Sequence, residues 1–287
     1  MILTREELES LTGATHRNPH QLLGMHPLGD GSGVVVRAFL RDAARVHVEP
    51  VHEKDKPRFE LRRLDDAGLY EGVTRKAQRV YAYDLVITDY RGQVRRTRDP
   101  YSFLSTLGET DLYLFGQGNE RRIYEKLGAQ LRVLDGVPGV SFAVWAPNAR
   151  RVSVVGEFNG WDGRYHPMRL LGASGVWEIF IPGLGEGTLY KFEIHDANGA
   201  VTVKTDPYGF FFELPPKNAA IVWDTRKFGW SDGEWMEQRR HRDPLRSPMS
   251  IYEVHVGSWR KKTANESLSY RELAGPLIDY VRDMGFT

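Results

Sequence analysis

The sequence predicts a mainly β protein: two tandem immunoglobulin-like β-sandwiches followed by the first β-α unit of an incomplete (β/α)8 barrel. Three observations carry this prediction. Residues 83–103, YDLVITDYRGQVRRTRDPYSF, align without a gap on residues 190–210, YKFEIHDANGAVTVKTDPYGF, so one β-rich unit occurs twice at an offset of 107. Residues 140–162, VSFAVWAPNARRVSVVGEFNGWD, alternate large and small side chains on both sides of a Pro-Asn-Ala break, the period of two strands flanking a turn. From Ile251 an apolar run (IYEVHV), a polar loop and a helix-periodic segment follow in the order that opens a barrel. These patterns divide the chain into a first sandwich over residues 1–112, a second over 113–238, and a linker with the start of a barrel over 239–287.

At 287 residues the chain has ample length for more than one core. Its 39 Lys and Arg nearly balance 38 Asp and Glu, so charge provides no basis for a nucleic-acid or anionic-membrane partner, and a neutral polymer is the easier ligand. The absence of cysteine excludes disulfides and thiolate metal sites and fits a reducing compartment. The start, MILTREELESLTG, carries acidic residues where a signal peptide needs an apolar core, and no 18 apolar residues run together. A soluble, cytoplasmic protein is expected.

In chain order, Thr4 and Glu7 stand at capping-box spacing ahead of Leu8 and Leu11, which predicts a short amphipathic helix with a packing role. His16, His20 and His26 follow, but no carboxylate lies between them and Pro19 and Pro27 prevent a regular face, so no metal site is assigned. Ala43, Arg45, Val46 and Val48 match Ala149, Arg151, Val152 and Val154 at an offset of 106, extending the repeat upstream. Both copies contain Asp-Pro-Tyr, at 99–101 and 206–208. Asp before Pro opens turns, and these aspartates fall in different domains, so neither is assigned a catalytic role. The clusters Arg95, Arg96, Arg98 and Arg239, Arg240, Arg242 read as solvated charges.

Trp177 is in register with Ile179 and Ile181 and is assigned to the second core. Residues 239–249, RRHRDPLRSPM, have the Pro and charge content of a boundary. Beyond the expected strand, Ser269 and Glu272 have capping-box spacing, and Leu273, Leu277, Val281 and Met284 make one helical face, with a kink expected at Pro276.

Trp161 follows an Asn-Gly turn, where a large ring is presented rather than buried. A glucopyranose offers an apolar face of C–H groups and a polar rim, which suits an aromatic plane with donors nearby. Two roles stand for Trp161 at this level, a sugar platform and a cap on the sandwich edge. Residues 140–162 resemble the glycogen- and starch-binding modules fused to branching and debranching enzymes of the α-amylase superfamily. The resemblance implies that Trp161 stacks on glucose and that Lys191, outward in the YKF run, bonds sugar hydroxyls. Opposite these positions the first copy has Asp55 and Asp84, which marks it as scaffold. Residues 196–201 read DANGAV where many binding members carry another Trp, implying a weak or lost grip on sugar.

The run PHQLLGMHP resembles the N-terminal domain of bacterial glucan branching enzymes, and YEVHVGSWR with SYRELAGPLIDYVRDMGFT resembles their first barrel strand and helix. This implies a glycosyltransferase of glycogen biosynthesis that cleaves an α-1,4 bond, holds the chain covalently and passes it to a 6-hydroxyl, without metal or organic cofactor. Tyr252 then either lines the sugar site near the scissile bond or simply fills the barrel. In that family the paired carboxylates of glycoside chemistry lie on later barrel strands. No catalytic residue is therefore named, and the 287 residues alone are expected to be inactive. A debranching or trehalose-releasing relative, and a non-catalytic glucan-binding protein, are the alternatives.

Overall fold

The computed structural model describes residues 3–13, 15–40, 42–53 and 55–287, which form two compact units, Met1–Thr225 and Arg226–Thr287. The first unit is almost entirely antiparallel β-structure. Its N-terminal strands are β1 (Gly24–Pro27), β2 (Val34–Phe39), β3 (Ala43–Pro50), β4 (Phe59–Arg63), β5 (Leu69–Thr74), β6 (Tyr83–Asp89) and β7 (Val94–Arg98). They join in the order β1-β2-β5-β4-β3-β6-β7, a continuous sheet. Strand β4 pairs β5 through Arg62 and Arg63, and β3 through Phe59 to Leu61. The two halves enclose a core of Val34, Val36, Val46, Val48, Leu85 and Ile87.

The second half comprises β8 (Gly128–Leu134), β9 (Val137–Trp145), β10 (Ala149–Gly156), β11 (Arg169–Leu170), β12 (Val176–Pro182), β13 (Leu189–Asp196), β14 (Val201–Lys204), β15 (Phe211–Phe212) and β16 (Ala220–Ile221). Here two sheets stay separate, β11-β12-β9-β8 and β10-β13-β16-β15 with β14 on β13. The difference is the length of the contact between the halves. Where β4 pairs His47 with Glu60, the second copy has a lone bridge between Ser153 and Pro167. One backbone bond flanks it on each side, from the Val154 amide to the His166 carbonyl at 3.2 Å and from the Met168 amide to the Val152 carbonyl at 2.9 Å, and the chain then passes into β11 beside β12.

The repeat is exact down to a bulge. Strand β3 pairs β6 with a register shift between Ala43 and Arg45, and β10 pairs β13 with the same shift between Ala149 and Arg151. Strands β1 and β8 both open on a left-handed glycine, at φ 92° for Gly24 and 82° for Gly128. A Cβ on either would lie about 3 Å from the carbonyl oxygen of the Asp-Pro-Tyr tyrosine, 2.9 Å from Tyr101 and 3.0 Å from Tyr208.

The copies share hydrophobic contacts. Leu22, Leu23, Phe39, Leu69 and Tyr101 of the N-terminal part are buried in one cluster with Phe142, Trp177 and Tyr190. Leu11, on the helix Arg5–Thr12, joins the same cluster; Thr4 and Glu7 form the capping box the sequence predicts. Trp177 is fully buried and donates Nε1–H to the Ala146 carbonyl at 3.0 Å. A polar clamp holds the connecting segment. Fully buried Glu178 accepts from the Thr106 amide (2.6 Å), the Thr106 hydroxyl (2.5 Å) and the Ser105 hydroxyl (2.9 Å), and pairs with Arg169 at 2.9 Å. Arg169 also donates to the Phe103 carbonyl at 2.9 Å.

The second unit holds helices Gly233–Arg240, Val256–Trp259 and Tyr270–Asp283 and a hairpin of β17 (Lys261–Thr263) with β18 (Glu266–Ser267). The last helix has the expected Ser269 and Glu272 capping box and continues through Pro276. Leu273 is buried, Leu277 and Val281 are half-buried, and Met284 is exposed. The expected barrel strand is not formed: residues 251–255 have no assigned secondary structure, and residues 256–259 are helical. A strand exists only as part of a ladder, and among the described residues none pairs with this segment. The opening unit of a barrel is therefore not visible here.

Candidate functional site

The loop after β10 is built around a buried amide. Asn159 accepts from the Gly156 amide at 3.0 Å, donates to the Val154 carbonyl at 2.9 Å, and contacts His166 Nδ1 at 3.0 Å. The turn Glu157–Asn159 then delivers two successive left-handed residues, Gly160 at φ 63° and Trp161 at φ 60°. Glycine adopts this conformation freely, whereas tryptophan pays about 1–2 kcal/mol for it. The turn is closed by the Trp161 amide donating to the Gly156 carbonyl at 2.9 Å, and the side chain is 41% exposed. Trp161 is thus a half-exposed aromatic in a left-handed conformation at the end of a buried hydrogen-bond network.

Lys191 is on β13, the strand paired with the one that leads into this turn. In the ladder, Gly156 faces Tyr190 and Val155 faces Lys191, which places Trp161 and Lys191 at the same end of the β10–β13 pair. Tyr190 and Phe192 point into the core, so by strand alternation Lys191 points outward. Its ammonium donates to Asn218 Oδ1, on the loop between β15 and β16. The Asn218 carbonyl in turn accepts from the Thr205 hydroxyl at 2.6 Å. Lysine carries three donors and asparagine an amide N–H pair, so this couple has hydrogen-bonding capacity for sugar hydroxyls beyond the bond between them. Asn218 has no motif signal of its own in the sequence, because a 27-residue separation hides its contact with Lys191.

Farther along the same outward row, Glu193 binds Arg151 and contacts His195 Nε2 at 3.0 Å. Burial lowers the Arg151 pKa, against the raising influence of Glu193 and Asp162. Asp162, next to Trp161, holds Arg164 through contacts of 2.9 and 2.6 Å.

Among the described residues the first copy presents nothing comparable. Asp84, in the place of Lys191, is paired with Arg96 at 2.7 Å and Arg98 at 2.9 Å. Asp55, in the place of Trp161, lies 3.8 Å from Lys56. The three early histidines serve locally: His16 Nδ1 accepts from the Asn18 amide at 3.2 Å, the His20 ring meets Tyr101 edge-on at 4.9 Å, and His26 Nε2 contacts the Leu23 carbonyl at 2.8 Å.

Tyr252 belongs to the second unit. Its hydroxyl accepts from Trp259 Nε1 at 2.8 Å, and its ring packs against Tyr280 and Phe286 at 5.5 and 5.0 Å. It lines an open cleft of about 650 Å³ together with Val254, Leu277 and Val281.

Comparison with known proteins bears on the chain in two segments and as a whole. Residues 4–101 match the family described as alpha-1,4-glucan branching enzyme GlgB, N-terminal domain, and residues 126–209 match carbohydrate-binding module 48 (isoamylase N-terminal domain). The 1,4-alpha-glucan branching enzyme GlgB of Rubrobacter xylanophilus is 48% identical over 99% of the chain, and that of Myxococcus xanthus 47% over 98%. The chain spans 38% of the length of each. Among solved structures, a pullulanase from Anoxybacillus sp. LM18-11 aligns over 72% of the chain and 28% of its own at 14% identity, with a TM-score of 0.31, a superposition too loose to bear on the fold. Over nearly its whole length the chain matches the N-terminal part of 1,4-alpha-glucan branching enzymes.

Proposed function

We propose that this chain serves a glycogen branching enzyme by holding α-glucan on the outward face of its second sandwich. Trp161 supplies the stacking plane, and Lys191 with Asn218 supplies hydrogen bonds to the hydroxyl rim. The observation that carries this is that a half-exposed Trp161 in a left-handed conformation and the Lys191–Asn218 couple fall at one end of the β10–β13 ladder. Other parts of the enzyme then cleave an α-1,4 bond and rejoin the chain to a 6-hydroxyl. The buried carboxylates Asp99 and Asp206 are each held by a tyrosine and are not assigned to that chemistry. Tyr252 is proposed as a sugar contact in the complete enzyme.

A cytoplasmic setting belongs to the same reading, and among the described residues no helix is long and apolar enough to cross a membrane. The near-neutral charge gives no electrostatic basis for nucleic acid or an anionic membrane and suits a neutral glucan as the partner.

Affinity electrophoresis in glycogen-containing gels tests the platform: Trp161→Ala and Lys191→Ala are expected to migrate faster than the parent chain. Unchanged retardation in both would remove the site. For the activity, linear amylose incubated with the 287-residue chain is expected to acquire no α-1,6 linkages, while a form extended to the length of the relatives is expected to introduce them.

A further inference from the structure

The first unit contains a cleft of about 670 Å³ whose walls come from both copies of the repeat. Ligand pockets measure roughly 300–1,000 Å³, so the size is appropriate for a bound molecule. One wall is the turn at residues 157–160, the same turn that presents Trp161. Phe158 and Tyr165 flank it. The other wall is formed by Phe39 and by Asp89 and Arg95 at the ends of β6 and β7. The Phe39 and Tyr165 rings meet across the two copies at 5.2 Å. Arg95 and His166 are close enough across the cleft for the guanidinium to add to the effect of burial in lowering the His166 pKa.

The chemistry of the lining selects the class of occupant. Aromatic side chains stand beside the Arg95 guanidinium and the carboxylates of Asp42, Asp89, Asp99 and Glu157, Asp99 being already bonded to Tyr83. Carboxylates repel a phosphate or an acidic peptide but accept from hydroxyl groups, while the guanidinium donates to them. Mixed donors and acceptors over aromatic rings fit a neutral polyol.

We infer that this cleft is a second glucan subsite, continuous with the Trp161 platform around the turn at residues 157–160. It takes further glucosyl units of a chain already stacked on Trp161. This rests on the platform reading proposed above. Binding of a long chain then spans both copies of the repeat, so the first copy is part of the binding surface, whereas its sequence marks it as scaffold alone.

Calorimetric titration of the 287-residue chain with maltotriose and maltoheptaose tests the inference. Arg95 and Glu157 are exposed, so the double variant Arg95→Ala/Glu157→Gln is expected to fold, which its melting temperature checks. The parent is expected to bind maltoheptaose more tightly than maltotriose. In the double variant this preference is expected to fall by about tenfold, the loss of one or two hydrogen bonds, with maltotriose affinity unchanged. Trp161→Ala is expected to weaken both ligands. An unaltered length preference in the double variant, with maltoheptaose-induced amide shifts confined to the surroundings of Trp161 and Lys191, would overturn the cleft and leave the platform standing. Loss of binding in the double variant but not in Trp161→Ala would instead retain the cleft and remove the platform. No binding of maltoheptaose by the parent, without shifts at residues 93–97, would overturn both.

Discussion

The phenol of Tyr83 donates to Asp99 Oδ2 at 2.5 Å in the interior of the first copy, and Tyr190 donates to Asp206 at the same distance in the second. The other oxygen of each aspartate accepts the amide two residues on, from Tyr101 at 2.9 Å and Tyr208 at 2.8 Å. Each carboxylate thus closes a turn and ties it to a strand. This duplicated lock accounts for the shared Asp-Pro-Tyr without any catalytic role.

Burial raises the Asp99 pKa to about 6, against the lowering influence of its two hydrogen bonds. The unfolded value is about 3.9, so between these values the folded protein binds the extra proton, and the Asp99 contribution to stability falls as pH rises through that window. Asp99→Asn is expected to abolish this component of the pH dependence while keeping a partner for Tyr83. Asp99→Ala, which strands a buried phenol and an amide, is expected to cost about 1–3 kcal/mol for each group left unpaired. Urea unfolding at pH 4, 5, 6 and 7 checks both.

His166 acts in the opposite direction. Burial, reinforced by Arg95, lowers its pKa to about 4. Stability from the neutral ring is complete above the unfolded value of about 6.5 and is lost as pH falls through about 4, amounting to ~3 kcal/mol. His166→Gln is expected to flatten the melting temperature between pH 6.5 and 4. A profile unchanged from the parent would show that the ring does not carry this dependence.

The Trp161 backbone lets stability and the proposed glucan binding be tested apart. Trp161→Gly relieves the left-handed penalty and is expected to raise stability by about 1 kcal/mol while weakening glucan retention. A fall in melting temperature would mean that the ring caps the sandwich edge.

The Glu178 clamp is a structural prediction independent of ligand. Glu178→Ala leaves the buried Arg169 without its carboxylate, and breaking a buried pair in this way costs about 3–5 kcal/mol. Chemical denaturation is expected to show this loss, with the segment at residues 103–108 becoming the most protease-sensitive part of the first unit.

The sequence by itself determined the mainly β class, the repeat and its register, the two capping boxes, the burial of Trp177 and the exposure of Trp161. All of these depend on period, turn chemistry or internal alignment, which are local or can be compared between copies. Tertiary structure alone decided that Tyr83 and Asp99 meet, that Asn218 receives Lys191, and that Glu178 gathers residues 105, 106 and 169, because those partners lie 9 to 73 residues apart and no periodicity encodes them. It also decided against the strand expected at residues 251–256. An apolar run has the propensity for a strand, but only a hydrogen-bonding neighbour makes it one, and pairing is a property of the folded assembly of segments rather than of the run itself.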